Sequence, residues 1–473
     1  MKNAPRTTDE GKRLFRQVYD HIVTRIERGE WKPHDKLPSI RLLSEQLRMN
    51  RLTVFRAYQL LKQDRKAYVK EKSGYYVSSG NQEHFPVGHE GNRPLSASVH
   101  LKNSMNDIQQ IPVVYQFSQA LIDPNLLPNL FLSDYVKKVF DIYPKLMGTY
   151  STPQGDAELR ETLGRYLVGE LRTQLTASEL LITSGAQQAI DLISRTFVRP
   201  MDAILVERPT YSAAIDIFRQ QGARFHSVDI QPDGYDLEQV ENLMRTHKPR
   251  LFYMNPTFHN PTGYTVPSSQ RKRLVELAER YRCLLIEDDA FHDIYFDGPP
   301  PPPLFTYDTD GWVVYLRGFS KYVAPGLRIC AVAARQAVLQ PLITAKSLAD
   351  NGTPLVNQKI FLHYFESERM RQHIEKLRTA LHMRKDIVEE ELAATDWKWV
   401  TPQGGLNLWL QLPESLSVEA LLNECLRQSI SFVPGTICDP LGEMTSWIRL
   451  SYSFVSEGQL RDGVKRLADI ARR

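Results

Sequence analysis

Apolar residues recur at helical spacing through Arg13–Arg28, where Leu14, Val18, Ile22 and Ile26 fall four apart with Phe15 and Val23 beside them. That period predicts an amphipathic helix ending at Gly29. In Leu37-Pro38-Ser39-Ile40-Arg41, Pro38 disfavours continued helix, and Ser39 suits the N-cap of a second helix that buries Leu42, Leu43 and Leu47. After a break at Arg48-Met49-Asn50, Asn50 can cap a third helix, Arg51 to Lys62, with Val54, Ala57, Tyr58 and Leu61 on its inner face. Ala67 to Val77 then reads as two strands joined at Lys72-Ser73-Gly74.

From Ser78 to about Pro112 the periodicity lapses into polar residues with Gly and Pro, the pattern of a tether, though Ser96–Asp107 has room for a helical turn or two. From Val113 onward, helical patterns alternate with apolar strands at Leu180–Thr183, Ala203–Val206, Arg250–Met254, Leu284–Glu287 and Trp312–Leu316. Such alternation predicts an α/β fold with a largely parallel sheet. The expected domains are 1–78, a linker 79–112, and 113–473.

Composition adds little except in its distribution. The 473 residues are 42% hydrophobic and 24% charged, with a net charge of +4. No apolar run reaches the ~18 residues of a membrane span, and Met1 to Lys12 lacks the apolar core of a secretory signal. The cysteines (Cys283, Cys330, Cys425, Cys438) show no metal-ligand spacing, so no metal is expected, and the cytoplasm is the simple location. Residues 1–78, however, hold 18 Lys/Arg against 9 Asp/Glu, whereas the remainder is slightly acidic. A basic head on an acidic body suits a nucleic-acid module joined to something else; charge alone also fits a solvated surface.

Two short helices and a tight turn, the second helix opening with Arg51, Thr53 and Arg56, make a helix-turn-helix, and the hairpin carrying Lys70 and Lys72 would be its wing. Arg reaches guanine edges, and Thr serves a phosphate or a base. A protein-binding winged helix has the same outline, but the basic balance favours double-stranded DNA. The order Leu37-Pro38-Ser39, Arg41, helix, Asn50-Arg51, Thr53 resembles the GntR family. That resemblance implies DNA contacts at Arg41 and Arg51, with Ser39, Thr53, Arg56 and Lys72 as further candidates. His34-Asp35 stands where the family has Gly-Asp, a change expected to alter a turn.

Ligands of open parallel sheets sit at the carboxyl ends of the strands, and there the body carries its chemistry. The first strand leads to Gly185-Ala186-Gln187, a helix start able to hold a phosphate. The second leads to Tyr211, the third to a Pro-rich loop with Asn260, and the fourth to Asp288. The fifth leads to Ser320-Lys321 with Arg328 seven residues on. An amine can form a Schiff base with an aldehyde, and a guanidinium can clamp a phosphate. Pyridoxal phosphate needs both, plus a carboxylate for its pyridine nitrogen and a ring over its face.

These segments, in order over roughly 113–473, resemble fold-type I pyridoxal-phosphate enzymes of the aspartate aminotransferase class. The resemblance implies a mainly parallel sheet with a small C-terminal α+β subdomain. It makes Lys321 the Schiff-base lysine, Asp288 the pyridine-nitrogen partner, Tyr211 the stacking ring and Asn260 the donor to the phenolate oxygen. It builds the phosphate cup from Gly185, Ala186, Gln187, Ser320 and Arg328. Tyr150 would reach the neighbouring subunit's phosphate, and Arg449, with Asn260, would hold a substrate carboxylate. A GntR-like head on such a body resembles the MocR-type regulators, which implies a head-to-tail homodimer.

Two positions depart from the enzyme pattern. Ala290 and Phe291 stand where a tyrosine usually donates to the phenolate oxygen, leaving His292 and Tyr295 as conceivable substitutes, and Gly318 replaces a common serine. Both changes leave cofactor binding intact and argue against fast turnover. Three readings follow: a regulator sensing an amino acid or amine through an external aldimine, a regulator responding to pyridoxal phosphate itself, and an aminotransferase with an appended DNA-binding domain. The Pro299–Pro303 run is expected to be a stiff surface loop without chemistry.

Overall fold

A computed structural model of the protein describes residues 9–64, 66–70, 74–78, 104–171 and 174–472. Contacts divide the chain into two units, residues 1–100 and 101–473. No helix among the described residues is long and apolar enough to cross a membrane.

In the first unit, α1 (Asp9–Glu27), α2 (Ile40–Leu47) and α3 (Arg51–Gln63) precede an antiparallel hairpin of β1 (Ala67–Lys70) and β2 (Gly74–Val77). Val18, Ile22, Leu37, Leu43, Val54, Ala57, Tyr58 and Leu61 form its core. The Ser39 hydroxyl accepts from the Leu42 amide, as an N-cap should. Asn50 receives the Thr53 and Val54 amides on its carbonyl. Tyr58 donates to the Pro38 carbonyl at 2.7 Å, pinning the Leu-Pro-Ser turn to α3. Leu42 departs from expectation: it is 48% exposed while Leu43 is buried. Successive helical residues point about 100° apart, so an eight-residue helix seating Leu43 in the core turns Leu42 outward. His34, where the resemblance expects glycine, has φ 70°, a conformation glycine adopts without strain.

The second unit begins its described course with α4 (Ser104–Gln109) and β3 (Tyr115–Gln116). Met105 of α4 is already buried against Trp409 and Val433, so residues 104–112 pack with the body, ahead of the 113 boundary suggested by composition. Next come α5 (Asn129–Ile142) and α6 (Ala157–Leu171). The large sheet then runs through β4 (Leu180–Ser184), β5 (Ala203–Arg208), β6 (Arg224–Asp229), β7 (Leu251–Met254), β8 (Leu284–Asp289), β9 (Val313–Gly318) and β10 (Ile329–Ala333), with α7 (Ala186–Phe197) following β4. Its spatial order is β4-β10-β9-β8-β7-β5-β6, parallel except for β10. Side chains alternate between two cores: Leu205, Phe252 and Leu285 pack on one face, and Val206, Tyr253 and Ile286 on the other. Burial on both faces is why these strands read as continuous apolar runs.

Two strands, β6 and β10, lie outside the five expected. β6 is an edge strand of polar sequence, Arg-Phe-His-Ser-Val-Asp, and mostly half-buried. β10 is antiparallel and pairs its first residue, Ile329, with Ser184 at the end of β4. That reversal sets Arg328 beside the start of α7. Beyond it, β11 (Asn407–Gln411), β12 (Ile430–Ser431), β13 (Val433–Pro434) and β14 (Trp447–Ser451) follow; β11-β14-β13 form a small antiparallel sheet packed with helices 368–392, 418–427 and 457–471. β12 pairs instead with β3, tying the start of the body to its end.

Candidate functional site

A cavity of about 180 Å³ opens at the carboxyl ends of β4, β5, β7, β8 and β9, lined by Ala186, Gln187, Tyr211, Asn255, Asn260, Asp288, Ala290, Phe291, Gly318, Ser320, Lys321 and Arg328. The topology brings together residues spread over more than a hundred positions because parallel strands present their C-terminal ends on one side. Gly185 caps α7 with φ 87°, and a methyl there would come within 2.5 Å of Arg328 Nη2. That close approach stacks a guanidinium on the free amides of a helix N-terminus, an arrangement that suits a dianionic phosphate. The Ser320 hydroxyl is buried without a partner.

Burial, joined by the positive charges of Arg449 and Arg328, pulls the Lys321 ammonium down to about 8 against the opposing pull of Asp288. Burial pushes the Asp288 carboxyl up to about 6, while the Tyr253 hydroxyl, donating to Oδ2 at 2.7 Å, lowers it. Asp288 Oδ1 is buried and unsatisfied, an acceptor open to an N–H or O–H donor entering the cavity. Burial raises Tyr211 to about 12, so its ring lines the cavity as a neutral phenol.

Asn260 is oriented from behind. Its Oδ1 accepts from Arg449 Nη1 at 3.2 Å and Asn407 Nδ2 at 3.3 Å, leaving the Nδ2 amide to donate elsewhere. Arg449 is 2% exposed, and its Nε lacks a partner. Three supporting residues escaped sequence reasoning. Asn255 accepts the Asn260 amide on Oδ1 at 2.6 Å and donates to the Asp288 carbonyl, coupling two site elements. Tyr253 holds Asp288. Arg271, fully buried, donates to the Val266 and Pro256 carbonyls and to Thr257, which braces the loop carrying Asn260. It also reaches the Pro302 carbonyl at 3.3 Å and Glu287 at 3.6 Å. The Pro299–Pro303 run is therefore anchored at its end, with Pro303 buried while Pro299 and Pro302 stay exposed. The Asn255-Pro256 pair at the end of β7 was the signal that could have found Asn255, but nothing local marked Arg271.

At the departures, Ala290, Phe291 and Gly318 line the cavity and neither conceivable substitute does. His292 pairs with Asp289 at 2.6 Å, which with Arg317 holds that carboxyl at about 2 despite its burial. Tyr295 lies under the Arg378 guanidinium, 3.6 Å from its ring centre. Tyr150 is 87% exposed and absent from this chain's own cavity lining.

On the head, Arg51 opens α3 on the surface and Thr53 is half-buried. Arg41 is exposed and pairs with Glu45 at 3.1 Å, a surface contact that a phosphate can replace cheaply. Ser39 accepts with its hydroxyl as a cap and keeps its own proton to donate. Of Arg56 only the backbone is described, and Lys72 lies outside the described residues.

Residues 145–467 match the aminotransferase class I and II family, and residues 14–77 match the bacterial regulatory proteins of the gntR family. The HTH-type transcriptional regulator YisV of Bacillus subtilis is 30% identical over 97% of this chain and 96% of its own. The chain belongs to the MocR-type regulators. Among other relatives of this MocR-type chain, the HTH-type transcriptional regulator NorG of Staphylococcus aureus is 26% identical over 91% of this chain and 98% of its own. The α-aminoadipate aminotransferase LysN of Thermus thermophilus, solved with N-(5'-phosphopyridoxyl)-L-leucine, superposes on the body with a TM-score of 0.74 at 30% identity. That match covers 79% of this chain and 95% of LysN.

Proposed function

We propose that this MocR-type regulator holds pyridoxal phosphate at Lys321 and senses an amino acid or amine by capturing it covalently there, adjusting its grip on DNA in the cytoplasm. The observation that carries the reading is one cavity that joins a depressed lysine amine, an unsatisfied buried Asp288 oxygen and the Gly185–Arg328 cradle. Bound there, the cofactor supplies an aldehyde carbon that exchanges amines. Gly185, Ala186, Gln187, Ser320 and Arg328 hold its phosphate, Tyr211 covers its ring, and Asp288 keeps the ring nitrogen protonated. Asn260 donates to the phenolate oxygen, and Arg449 takes the effector's carboxylate. Ala290 and Phe291 provide no hydroxyl, which favours a sensor over a rapid catalyst.

The experiment is an absorption titration of the cofactor-loaded protein with amino acids and amines. A spectral shift that persists without keto acid supports the sensor. Keto acid release makes the body an aminotransferase, and no response to any amine leaves the cofactor itself as the effector. Attack on an aldehyde needs the neutral amine, so cofactor uptake by the stripped protein should accelerate as pH rises, levelling above about 8. A profile still rising near the ordinary lysine value of 10.5 would show an undepressed amine.

Arg51, Arg41, Thr53, Ser39, Arg56 and Lys72 form the proposed DNA face. Arg51→Ala should weaken operator binding by roughly 1–3 kcal/mol at matched salt; unchanged affinity in a gel-shift titration would remove Arg51 from the interface. A head-to-tail homodimer suits α5, where Phe131, Val136 and Phe140 are exposed, as are nearby Met147 and Tyr150. A second copy covering that face would receive Tyr150 at its phosphate, and sedimentation should return twice the chain mass.

A further inference from the structure

Resting on that reading, a second feature concerns how a filled site reaches the rest of the chain. The strap following β3 is held by the two cations of the site. Arg449 Nη2 donates to the Ser118 carbonyl at 2.6 Å, and Lys321 Nζ donates to the Ala120 carbonyl at 3.0 Å. The strap is laced in turn to α4. Gln109 Nε2 donates to Ser118 O at 3.3 Å, and the Gln109 carbonyl receives the side-chain amides of Gln116 at 3.2 Å and Gln119 at 3.1 Å. Met105 of α4 places its sulfur 4.0 Å from Arg449 Nη2. Helix α4 is the first described element after residues 79–103, the stretch leading back to the DNA-binding head.

Arg449 has no carboxylate partner among the described residues, although it is buried. A buried guanidinium without a counter-ion is costly, and here neutral groups meet its charge: a backbone carbonyl, the Asn260 amide oxygen and a thioether. We infer that residues 104–120 form a latch closed by the uncompensated charge of Arg449, and that a carboxylate seated on Arg449 loosens it. The anion is the stronger acceptor, so the Ser118 bond loses its charge assistance; α4 is then held by the neutral Gln109 contacts and the packing of Met105, while Tyr115 and Phe117 keep their bonds to the strand at 430–431 and its approach. Loosening stops at residue 121, because Ser453 donates to the Leu121 carbonyl at 2.6 Å and Arg384 pairs with Asp123 at 2.8 Å, away from the site. The carboxylate of an effector, rather than its amine, is thereby the signal passed toward the linker.

Two stable probes differing by one carboxylate test this: N-(5'-phosphopyridoxyl)-L-alanine and N-(5'-phosphopyridoxyl)ethylamine, added to the full-length protein stripped of cofactor. Binding is read by quenching of intrinsic fluorescence, and the latch by hydrogen–deuterium exchange over 104–120. With both probes bound, the alanine adduct should speed exchange there about fivefold or more relative to the ethylamine adduct, leaving 121–123 unchanged. Arg449→Met removes the charge that closes the latch and should show fast exchange over 104–120 with no probe at all. Equal exchange with both probes bound, or no effect of Arg449→Met, overturns the latch and leaves the cofactor site standing. Binding of neither probe overturns the cofactor reading and the latch with it.

Discussion

Lys321→Ala should abolish covalent attachment of pyridoxal phosphate while leaving the protein folded. Borohydride reduction of the loaded wild type should fix the cofactor mass on the peptide containing Lys321, and the variant should carry none. The fold should tolerate the change because Lys321 is a buried cation repelled by Arg449 and Arg328, and its direct hydrogen bond is to one backbone carbonyl. Its removal relieves like-charge repulsion and costs about one hydrogen bond, some 0.5–1.5 kcal/mol. Asp288 loses an attractive partner and should be held even further above its ordinary value. A reduced adduct persisting on the variant would place the reactive amine elsewhere.

The second large effect is on stability. Arg271→Met should destabilise the body by about 3–5 kcal/mol, since it strands the fully buried Glu287 without its cation. Glu287 accepts the Leu304 and Phe305 amides, yet burial already pushes its carboxyl up to about 7 with Arg271 present. The sign follows. Between its ordinary 4.5 and the raised folded value, the folded chain retains a proton that the unfolded chain releases, so rising pH favours unfolding. Removing Arg271 raises the folded value further, and the variant's deficit should therefore grow from pH 5 to pH 8. Urea unfolding at the two pH values measures it. Adding Glu287→Met should recover much of the loss, since an apolar pair of similar volume replaces a buried ion pair at little cost. A deficit independent of pH would mean that Arg271 acts only through the carbonyls it braces.

Much of this protein was legible along the chain. Val54, Ala57, Tyr58 and Leu61 share one helix face because a period of 3.6 is a property of the backbone, and all four are buried. The strands β4, β5, β7, β8 and β9 announced themselves as apolar runs because both faces of a parallel sheet are covered. Lys321, Asp288, Tyr211, Asn260 and Arg328 could be nominated because each follows a recognisable strand, where such a sheet gathers its ligands.

What the chain order left hidden depends on neighbours remote in sequence. Leu42 and Leu43 are indistinguishable as letters, and the orientation of α2 against α1 and α3 decides which is buried. Strand β10 was obscured because its antiparallel course is set by pairing with β4 and β9, far apart in the chain. Arg271 resembles any helix-surface arginine until the loops at 256–266 and 301–302 close around it. Local periodicity and motif spacing determined the elements, the order of the chemical groups and the family. Only tertiary packing decided which charges are buried, which oxygen of Asp288 lacks a partner, and that Arg449 rests on a backbone carbonyl, because burial and hydrogen bonding are settled by the whole surroundings of a group.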